Sequence, residues 1–330
     1  LREAARRYGA DPVRLALLST AEILQDADIS TTLIESFRDR LERFYAFALD
    51  VIGLDAGSGS GEIFYEGRWL LSRLQNAVDA ATEAMDRLRA REAIHHIVYL
   101  LDQDVQWYLR RASVRGEAGR SSMARVLREV LDVRVRLLAP FAPYICEEIW
   151  ERMGHDGLVA LAEWPRPDPS KIDLEAEMAE TLISSILEDT LNIVKVTKIK
   201  PKRITYYTAS SWKWRAYLTA LESLKTGSTN PGEVIREILK DQGLKPIAKE
   251  VSEFTKKVVE EVRGMPREMR EDRLKVGIMN ESNVIRDAII FLSKELGAEI
   301  RVYSEEDSDR YDPAGRARLA KPYRPAIYVE

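Results

Sequence analysis

The sequence contains three clusters of cationic side chains. Their residue types and close spacing suit the binding of phosphate groups. In the first cluster, Arg110 and Arg111 follow the aromatic pair Trp107-Tyr108, and Arg115 lies in the next segment together with Arg120. The second cluster surrounds a proline and contains Lys195, Lys198, Lys200, Lys202 and Arg203. The third cluster precedes the last apolar run and contains Arg310, Arg316, Arg318, Lys321 and Arg324. Repulsion at this density is tolerated most readily when a polyanion such as RNA approaches.

Each cluster also has an interpretation that needs no ligand. Arg110 and Arg111 would complement the dipole of a helix C terminus. The cations of residues 195–203 would form a solvated turn, and those of residues 310–324 a surface loop. The residues alone leave both interpretations open.

No constellation typical of an active site or a metal centre is visible in the sequence. The histidines His95, His96 and His155 lack the spacing and the carboxylate or thiolate partners of metal ligands. Cys146 lies in the first turns of a predicted helix, where the dipole could lower its pKa, but a small, partly buried side chain is the simpler interpretation. The stretch 57–61 lacks the lysine of a phosphate-binding loop and predicts a flexible turn. We therefore expect no catalytic residue, metal or cofactor in this chain.

The composition limits the class of protein. The 330 residues are enough for two or three domains. A formal charge of −4 argues against a globally basic surface, so any contact with RNA must come from local patches. No run of about 18 apolar residues could cross a membrane. A single cysteine excludes an internal disulfide, and we expect a cytoplasmic location without a secretory signal.

A change in lysine usage marks the predicted domain boundary. No lysine occurs before Lys171, whereas lysine and arginine are about equally frequent afterwards. The change coincides with the proline-rich stretch 164–169, which is typical of a linker. We place one domain at 1–165 and a second at 166–330, whose last part covers about 270–330.

The first domain is predicted to be an antiparallel helix bundle. Thr32 and Glu35 form a plausible capping box for a helix with a buried apolar face. Long helices are expected at about 67–88, 91–111, 123–139 and 143–153, with a polar loop at 113–122. Pro140 and Pro143 should end one helix and start the next at a fixed angle.

The second domain is predicted to be a smaller α/β module around a short sheet, which makes the whole chain mainly α. Strands are expected at 204–208, 298–303 and 325–329, and helices at about 174–196, 210–224, 231–241, 245–263 and 283–296. Gly297 should stop the last helix. Trp212 and Trp214 lie about 200° apart on a helix, so we expect only one to face the core fully.

Several segments resemble the class I aminoacyl-tRNA synthetases. Tyr8–Leu15 resembles the segment that follows the signature lysine loop of these enzymes. The helical anticodon-binding domain of the leucyl, isoleucyl, valyl and methionyl enzymes is resembled by Trp69–Leu74, Trp107–Arg111 and Leu137–Trp150. Leu161–Pro165 looks like the usual exit of that domain. The second half is similar to the archaeal type of leucyl-tRNA synthetase in Lys202–Ala209, Trp212–Trp214 and Lys321–Glu330. The resemblance covers essentially the whole chain.

The resemblance implies a role in binding leucine tRNA. In this family the terminal module is implicated in holding the long variable arm, a role that suits the cations of 195–203 and 310–324 and the last strand with Ile327, Tyr328 and Glu330. The His-Ile-Gly-His and Lys-Met-Ser-Lys-Ser motifs and the editing domain do not occur in this sequence. Adenylation, with its ATP and Mg²⁺, would therefore belong to the catalytic domain of the same enzyme, which together with the editing domain would be a partner of this chain, and this chain alone should be inactive.

Two alternatives remain from the sequence. One is the corresponding part of an isoleucyl or valyl enzyme, which the ending 321–330 and the Trp212–Trp214 helix disfavour. The other is a non-catalytic module that docks onto a synthetase partner protein, with its arginines in interface ion pairs. Steep weakening of binding by salt would favour RNA over a mainly apolar interface.

Overall fold

The computed structural model describes residues 2–20, 29–55, 62–227 and 230–330, and the glycine–serine stretch 57–61 lies outside them. It divides into two compact units, Leu1–Glu177 and Met178–Glu330, and the division falls within one helix. The proline-rich stretch predicted as a linker lies along a helix of the first unit: Trp164 Nε1 donates to Thr82 and the Asp168 N–H donates to Gln75.

The described part of the first unit is helical, as predicted. Its helices are α1 (Arg2–Tyr8), α2 (Ala10–Thr20), α3 (Thr31–Gly53), α4 (Tyr65–Asp86), α5 (Ala90–Ile94), α6 (Leu101–Ala112), α7 (Gly116–Leu138), α8 (Pro143–Arg152) and the start of α9 (Leu174–Thr197). A π-helical segment, His95–Leu100, joins α5 to α6, and short 3₁₀ turns lie at Val159–Leu161 and Pro169–Lys171. One apolar core runs through the unit.

Two local predictions in this unit are wrong. The cap of α3 is Ser30, whose hydroxyl accepts from the Leu33 N–H, so the helix begins ahead of the predicted Thr32–Glu35 box. The predicted polar loop at 113–122 is helical from Gly116, because Ala124, Val126 and the residues that follow bury an apolar stripe that supports the preceding turns.

The proline hinge is confirmed, and a distant helix fixes its angle. Helix α7 ends at Leu138, and α8 begins at Pro143. From α2, Arg14 donates to the Pro140 carbonyl at 2.9 Å, and the Asp11 carboxylate accepts from the N–H of Ile145 at 2.8 Å. These contacts satisfy backbone groups that the interrupted helix leaves without partners.

The second unit combines helices with a three-stranded sheet, as predicted. It contains the rest of α9, then β1 (Arg203–Thr208), α10 (Ser211–Lys225), α11 (Pro231–Ile238), α12 (Ala248–Arg263), α13 (Arg267–Val276), α14 (Glu281–Asp287), α15 (Ile289–Leu296), β2 (Glu299–Ser304) and β3 (Ala326–Val329). Residues Gln242–Ile247 and Ala317–Leu319 form 3₁₀ turns. Gly297 ends α15 in the left-handed conformation, with φ 62°, as expected for a glycine stop.

The sheet has the strand order β2-β1-β3, with β2 parallel and β3 antiparallel to the central strand. Alternation gives it two different faces. On the face with Ile204 and Tyr206, helices pack closely: the Tyr206 hydroxyl hydrogen-bonds with Thr190 of α9, and Thr208 hydrogen-bonds with Ser282 of α14. The opposite face carries Arg203, Thr205 and Tyr207.

Trp212 and Trp214 of α10 are both buried, so the expectation that only one faces the core is wrong. Trp212 packs edge-on against Phe254 of α12, and Trp214 packs against Tyr323 from the segment before β3. Two different neighbours therefore cover opposite sides of the helix. In the described residues of the chain, no helix is long and apolar enough to cross a membrane.

Candidate nucleic-acid interface

The first predicted cluster separates into a buried and an exposed part. The Arg111 side chain is 1% exposed, and its Nη2 lies 3.8 Å from Glu66 of α4. Arg115 forms a bidentate pair with the same carboxylate at 2.7 and 2.8 Å. Glu66 itself is buried, so two guanidinium groups and one carboxylate join α4, α6 and the following turn. This burial corrects the prediction for Arg111, which has no surface to offer an RNA and holds the helices together instead.

Arg110 is the member of this cluster that remains on the surface near an aromatic ring. Its guanidinium carbon lies 5.9 Å from the centre of the Trp107 ring. Arg120 is also exposed and pairs with Glu117 within α7. Cation and ring together can stack on a base or contact a phosphate, so Arg110 remains a candidate.

The second cluster is exposed. Lys195, Lys198, Lys200 and Lys202 all lie on the surface at the end of α9 and in the turn that leads into β1. No ion pair joins any of these four to another residue of the described ranges. Lys198 has φ 58°, a left-handed conformation directly after the end of α9. Four uncompensated ammonium groups on one short segment form a positive edge beside the sheet.

Arg203 differs from these lysines because it is held between two carboxylates. Its Nε lies 2.9 Å from Glu299 on β2, and its Nη1 pairs with Glu330 after β3. Hydrogen bonds to Glu299 and Glu330 raise the pKa of Arg203. A phosphate at Arg203 would have to compete with both carboxylates, so we assign it mainly to cross-strand pairing.

The sheet face that carries Arg203 is a platform of polar and aromatic side chains. Residues that pair across the strands place Arg301 and Tyr328 on either side of Thr205, and Tyr303 beside Tyr207. The Tyr207 and Tyr303 rings stack at 6.4 Å between centres. Tyr207 is fully buried and its hydroxyl donates to the Tyr311 carbonyl, and the Tyr311 ring packs edge-on against Tyr328. We call Arg203, Arg301, Tyr303, Tyr311 and Tyr328 the aromatic sheet face.

The three predicted residues of the last strand fall on different sides of the sheet. Tyr328 belongs to the aromatic sheet face, whereas Ile327 pairs with Tyr206 and shares the helix-covered side. The Glu330 carboxylate is occupied by Arg203 and by the Tyr311 hydroxyl. Of these three, only Tyr328 has its ring on the aromatic sheet face, where it is half-buried.

The third cluster lies on a strap that precedes β3, residues 305–325. Arg310, Arg316, Arg318 and Arg324 are exposed, and Lys321 pairs with Glu261 at 3.3 Å. The strap is anchored by the buried Lys213 of α10. Its Nζ donates to Glu305 at 2.8 Å, to the Arg318 carbonyl at 2.7 Å and to the Ala320 carbonyl at 3.0 Å.

The sequence interpretation missed Arg301, Tyr303 and Tyr311. Glu299, Arg301 and Tyr303 alternate along a predicted strand, and that alternation was the available signal that they share one face. Pairing with β1 was needed to show that the same face holds Tyr207 and Tyr328, because register is not visible in a single strand.

The interpretation of Cys146 as a structural residue is supported, with one correction. The side chain is fully buried rather than partly buried, and burial raises the pKa of the thiol well above its usual value instead of lowering it. Within the described ranges, no group of three or more histidine, cysteine, aspartate or glutamate side chains could hold a metal ion.

Comparison with known proteins gives a consistent result. Residues 67–206 match the family described as the anticodon-binding domain of tRNA ligase. The chain is 40% identical over its full length to the leucine--tRNA ligase of Methanococcoides burtonii, of which it covers 33%. It is 35% identical over 99% of its length to that of Pyrococcus abyssi, of which it covers 32%. The chain thus spans about a third of the length of these relatives.

One solved structure also overlaps with part of the fold. It is described as the ternary complex of Agrobacterium radiobacter K84 agnB2 LeuRS-tRNA-LeuAMS. The match covers 64% of this chain and 23% of that chain, with a TM-score of 0.44 and 22% sequence identity.

The relatives named above are leucine enzymes, which does not favour the isoleucyl or valyl alternative. The chain is similar over its full length to the C-terminal third of leucine--tRNA ligases, and its residues 67–206 match the anticodon-binding domain of tRNA ligase.

Proposed function

We propose that this chain is the tRNA-binding, non-catalytic portion of a cytoplasmic leucine--tRNA ligase. Leucine tRNA is its partner, together with the catalytic and editing domains of the same enzyme, and the ATP-dependent joining of leucine to that tRNA, with ATP and Mg²⁺, takes place in the catalytic domain. The relatives' names support the reaction, and the distribution of charge over the chain supports the role in RNA binding.

The observation that carries the proposal is the positive edge beside the aromatic sheet face. Lys195, Lys198, Lys200 and Lys202 are exposed and without ion pairs to other described residues, in a chain with net charge −4. Such lysines repel one another, and a polyanion relieves that repulsion while releasing its counterions. Tyr303, Tyr311 and Tyr328 of the aromatic sheet face supply rings on which unpaired bases stack.

We assign the long variable arm of leucine tRNA to the second unit. Phosphates of the arm contact the lysines of 195–202 and the cations Arg316, Arg318, Lys321 and Arg324. Unpaired nucleotides of the arm contact the aromatic sheet face. The helical unit contacts the stem region through the surface around Trp107 and Arg110, so phosphate contacts supply most of the affinity and shape supplies most of the specificity.

A comparison of two RNAs tests the assignment of the arm. In a gel-shift titration at fixed salt, the chain should bind leucine tRNA at least about tenfold more tightly than the same tRNA with its variable arm deleted. Equal affinity for both RNAs would contradict the assignment of the arm to the second unit.

Charge reversal tests the lysines themselves. The triple variant Lys198→Glu, Lys200→Glu, Lys202→Glu should weaken binding of the intact tRNA far more than that of the tRNA without its arm. The matched control reverses Lys249, Lys256 and Lys257, which are exposed on α12. If both triple variants weaken tRNA binding equally, the loss of affinity reflects only the change in net charge. The positive edge would then be a solvated turn without a specific role in binding.

A further inference from the structure

Two arginines in the helical unit converge on one carboxylate. Asp102 of α6 forms ion pairs with Arg134 of α7 and Arg40 of α3. Arg134 Nη2 lies 3.1 Å from Asp102 Oδ1, and Arg40 Nη1 lies 3.9 Å from Asp102 Oδ2. The Arg134 side chain is 5% exposed, and that of Arg40 is 30% exposed. One negative charge, on a carboxylate whose side chain is 38% exposed, therefore faces two positive charges, of which only that of Arg134 is buried.

The two guanidinium groups also have unused hydrogen-bond donors. The Nε atoms of Arg40 and Arg134 are buried and have no hydrogen-bond partner among the described residues. Both arginines line a small cavity of ≈ 60 Å³, together with Arg43 and Gln106. Burial lowers the pKa of Arg134, and Asp102 only partly opposes that effect. A buried guanidinium N–H without an acceptor is unfavourable, and an anion in the cavity would supply the missing partner.

An open groove adjoins this cavity. It has a volume of ≈ 740 Å³ and shares Arg40, Asp102 and Gln106 with the cavity. Its other walls include Tyr99, Gln103, Trp107 and Arg110. The groove begins beside the π-helical segment His95–Leu100, and such interruptions often occur at functional sites.

The side chains of the groove divide into anion-binding and ring-binding groups. The Arg40 guanidinium carbon lies 4.3 Å from the centre of the Tyr99 ring, so that tyrosine orients the cation. Trp107 offers an indole to a flat ring, and the exposed amides of Gln103 and Gln106 can donate to and accept from a base edge. A phosphate and an aromatic base, joined by a sugar, match this arrangement.

We propose that the groove and its cavity bind one nucleoside monophosphate unit, with the phosphate at Arg40, charge from Arg134 in the adjoining cavity, and the base against Trp107. The source of the unit is an unpaired nucleotide of the bound RNA, and in this respect the inference rests on the proposed function. This site lies within the helical unit and is separate from the aromatic sheet face.

Equilibrium dialysis of the full chain against labelled AMP tests the site without tRNA. AMP should bind about tenfold or more tightly than either adenosine or inorganic phosphate, because only AMP engages both groups of side chains. Arg40→Gln and Trp107→Leu should each weaken AMP binding by about tenfold. Arg152→Gln, which removes an exposed arginine of α8 in the same unit, should leave it unchanged.

Arg134→Gln is the most direct variant, but burial of this residue means that the variant must first be shown to fold by circular dichroism. Arg40→Gln and Trp107→Leu change partly exposed side chains and keep the inference testable if Arg134→Gln does not fold. No binding of AMP, or equal binding by wild type and Arg40→Gln, would overturn the proposal.

Titration with leucine tRNA distinguishes the two possible sources of the nucleotide. Weaker tRNA binding by Arg40→Gln, but not by Arg152→Gln, supports an RNA nucleotide. If Arg40→Gln loses AMP and keeps full affinity for tRNA, the site takes free nucleotides and the RNA source is wrong. If the wild-type chain binds AMP through Arg40 and does not bind tRNA, the proposed function fails and the nucleotide site stands.

Discussion

The carboxylate of Glu281 accepts a hydrogen bond of 2.6 Å from the backbone N–H of Tyr323. Glu281 is the first residue of α14, and Tyr323 lies in the strap just before β3 with φ 62°, a conformation that L-residues rarely adopt. One buried side chain of α14 therefore holds the strap just before the outer strand β3.

Burial makes this contact depend on pH. Desolvation raises the pKa of Glu281 to about 8, and the hydrogen bond from Tyr323 opposes the shift only in part. The folded state therefore keeps a proton that the unfolded state loses near its ordinary pKa of 4.5. Stability from this group is complete below about pH 4.5 and is lost as the pH rises towards 8, with a slope of up to about 1.4 kcal/mol per pH unit.

The variant Glu281→Gln should remove this pH dependence. Its amide carbonyl can still accept from the Tyr323 N–H, and it does not ionise. Urea unfolding between pH 5 and 8.5 should show the wild type losing stability relative to the variant as the pH rises. Parallel stability curves for the two proteins would show that Glu281 does not titrate in this range.

Replacing Lys213 by methionine should destabilise the second unit strongly. The change leaves the Glu305 carboxylate and the carbonyls of Arg318 and Ala320 without their buried donor. Loss of one partner of a buried charge pair costs about 3–5 kcal/mol. Lys240→Met removes an exposed pair with Glu237 and should change the free energy of unfolding by less than about 0.5 kcal/mol. Similar losses in both variants would mean that Lys213 does not anchor the strap.

Glu66 should be as important for the stability of the helical unit as Lys213 is for that of the second unit. Glu66→Ala leaves the buried Arg111 and the bidentate Arg115 facing each other without a counter-charge. We expect a loss of about 3–5 kcal/mol in the free energy of unfolding, measured in urea. Glu83→Ala on the same helix removes an exposed pair with Arg87, and its effect should stay below about 0.5 kcal/mol. A small effect at Glu66 would show that water reaches the Arg111 guanidinium.

Sequence patterns predicted those elements whose apolar residues repeat along one face. Helix α9 and strand β1 are confirmed almost to the residue, because each buries a regular stripe. Helix α13 was missed since it buries no residue and is supported by pairs along its own surface, such as Arg267–Glu271. The predicted helix 283–296 is interrupted at Ala288, which ends α14 and precedes α15.

The candidate site was predictable only where it depends on local sequence. The exposed lysines follow from their density in one turn. The burial of Arg111 does not, because its partner Glu66 lies 45 residues earlier on another helix. The cation pair of Arg40 and Arg134 was also invisible, since it depends on three helices meeting at Asp102. Tertiary partners decide whether an arginine contacts solvent or holds helices together.

The salt dependence of tRNA binding should report how many lysines of the positive edge contact phosphates. Each phosphate contact contributes about 0.7–0.9 to the slope of log K against log salt concentration. Replacing Lys198, Lys200 and Lys202 by glutamine should therefore lower the magnitude of that slope by about 2–3 if all three contact RNA. The glutamine triple at Lys249, Lys256 and Lys257 removes the same charge from α12 and should leave the slope nearly unchanged. Filter binding between about 50 and 200 mM salt covers the range in which the slopes separate. Equal slopes for the two triple variants would show that the phosphates contact other residues. A decrease of about 1 in the slope would show that only one of the three lysines contacts a phosphate.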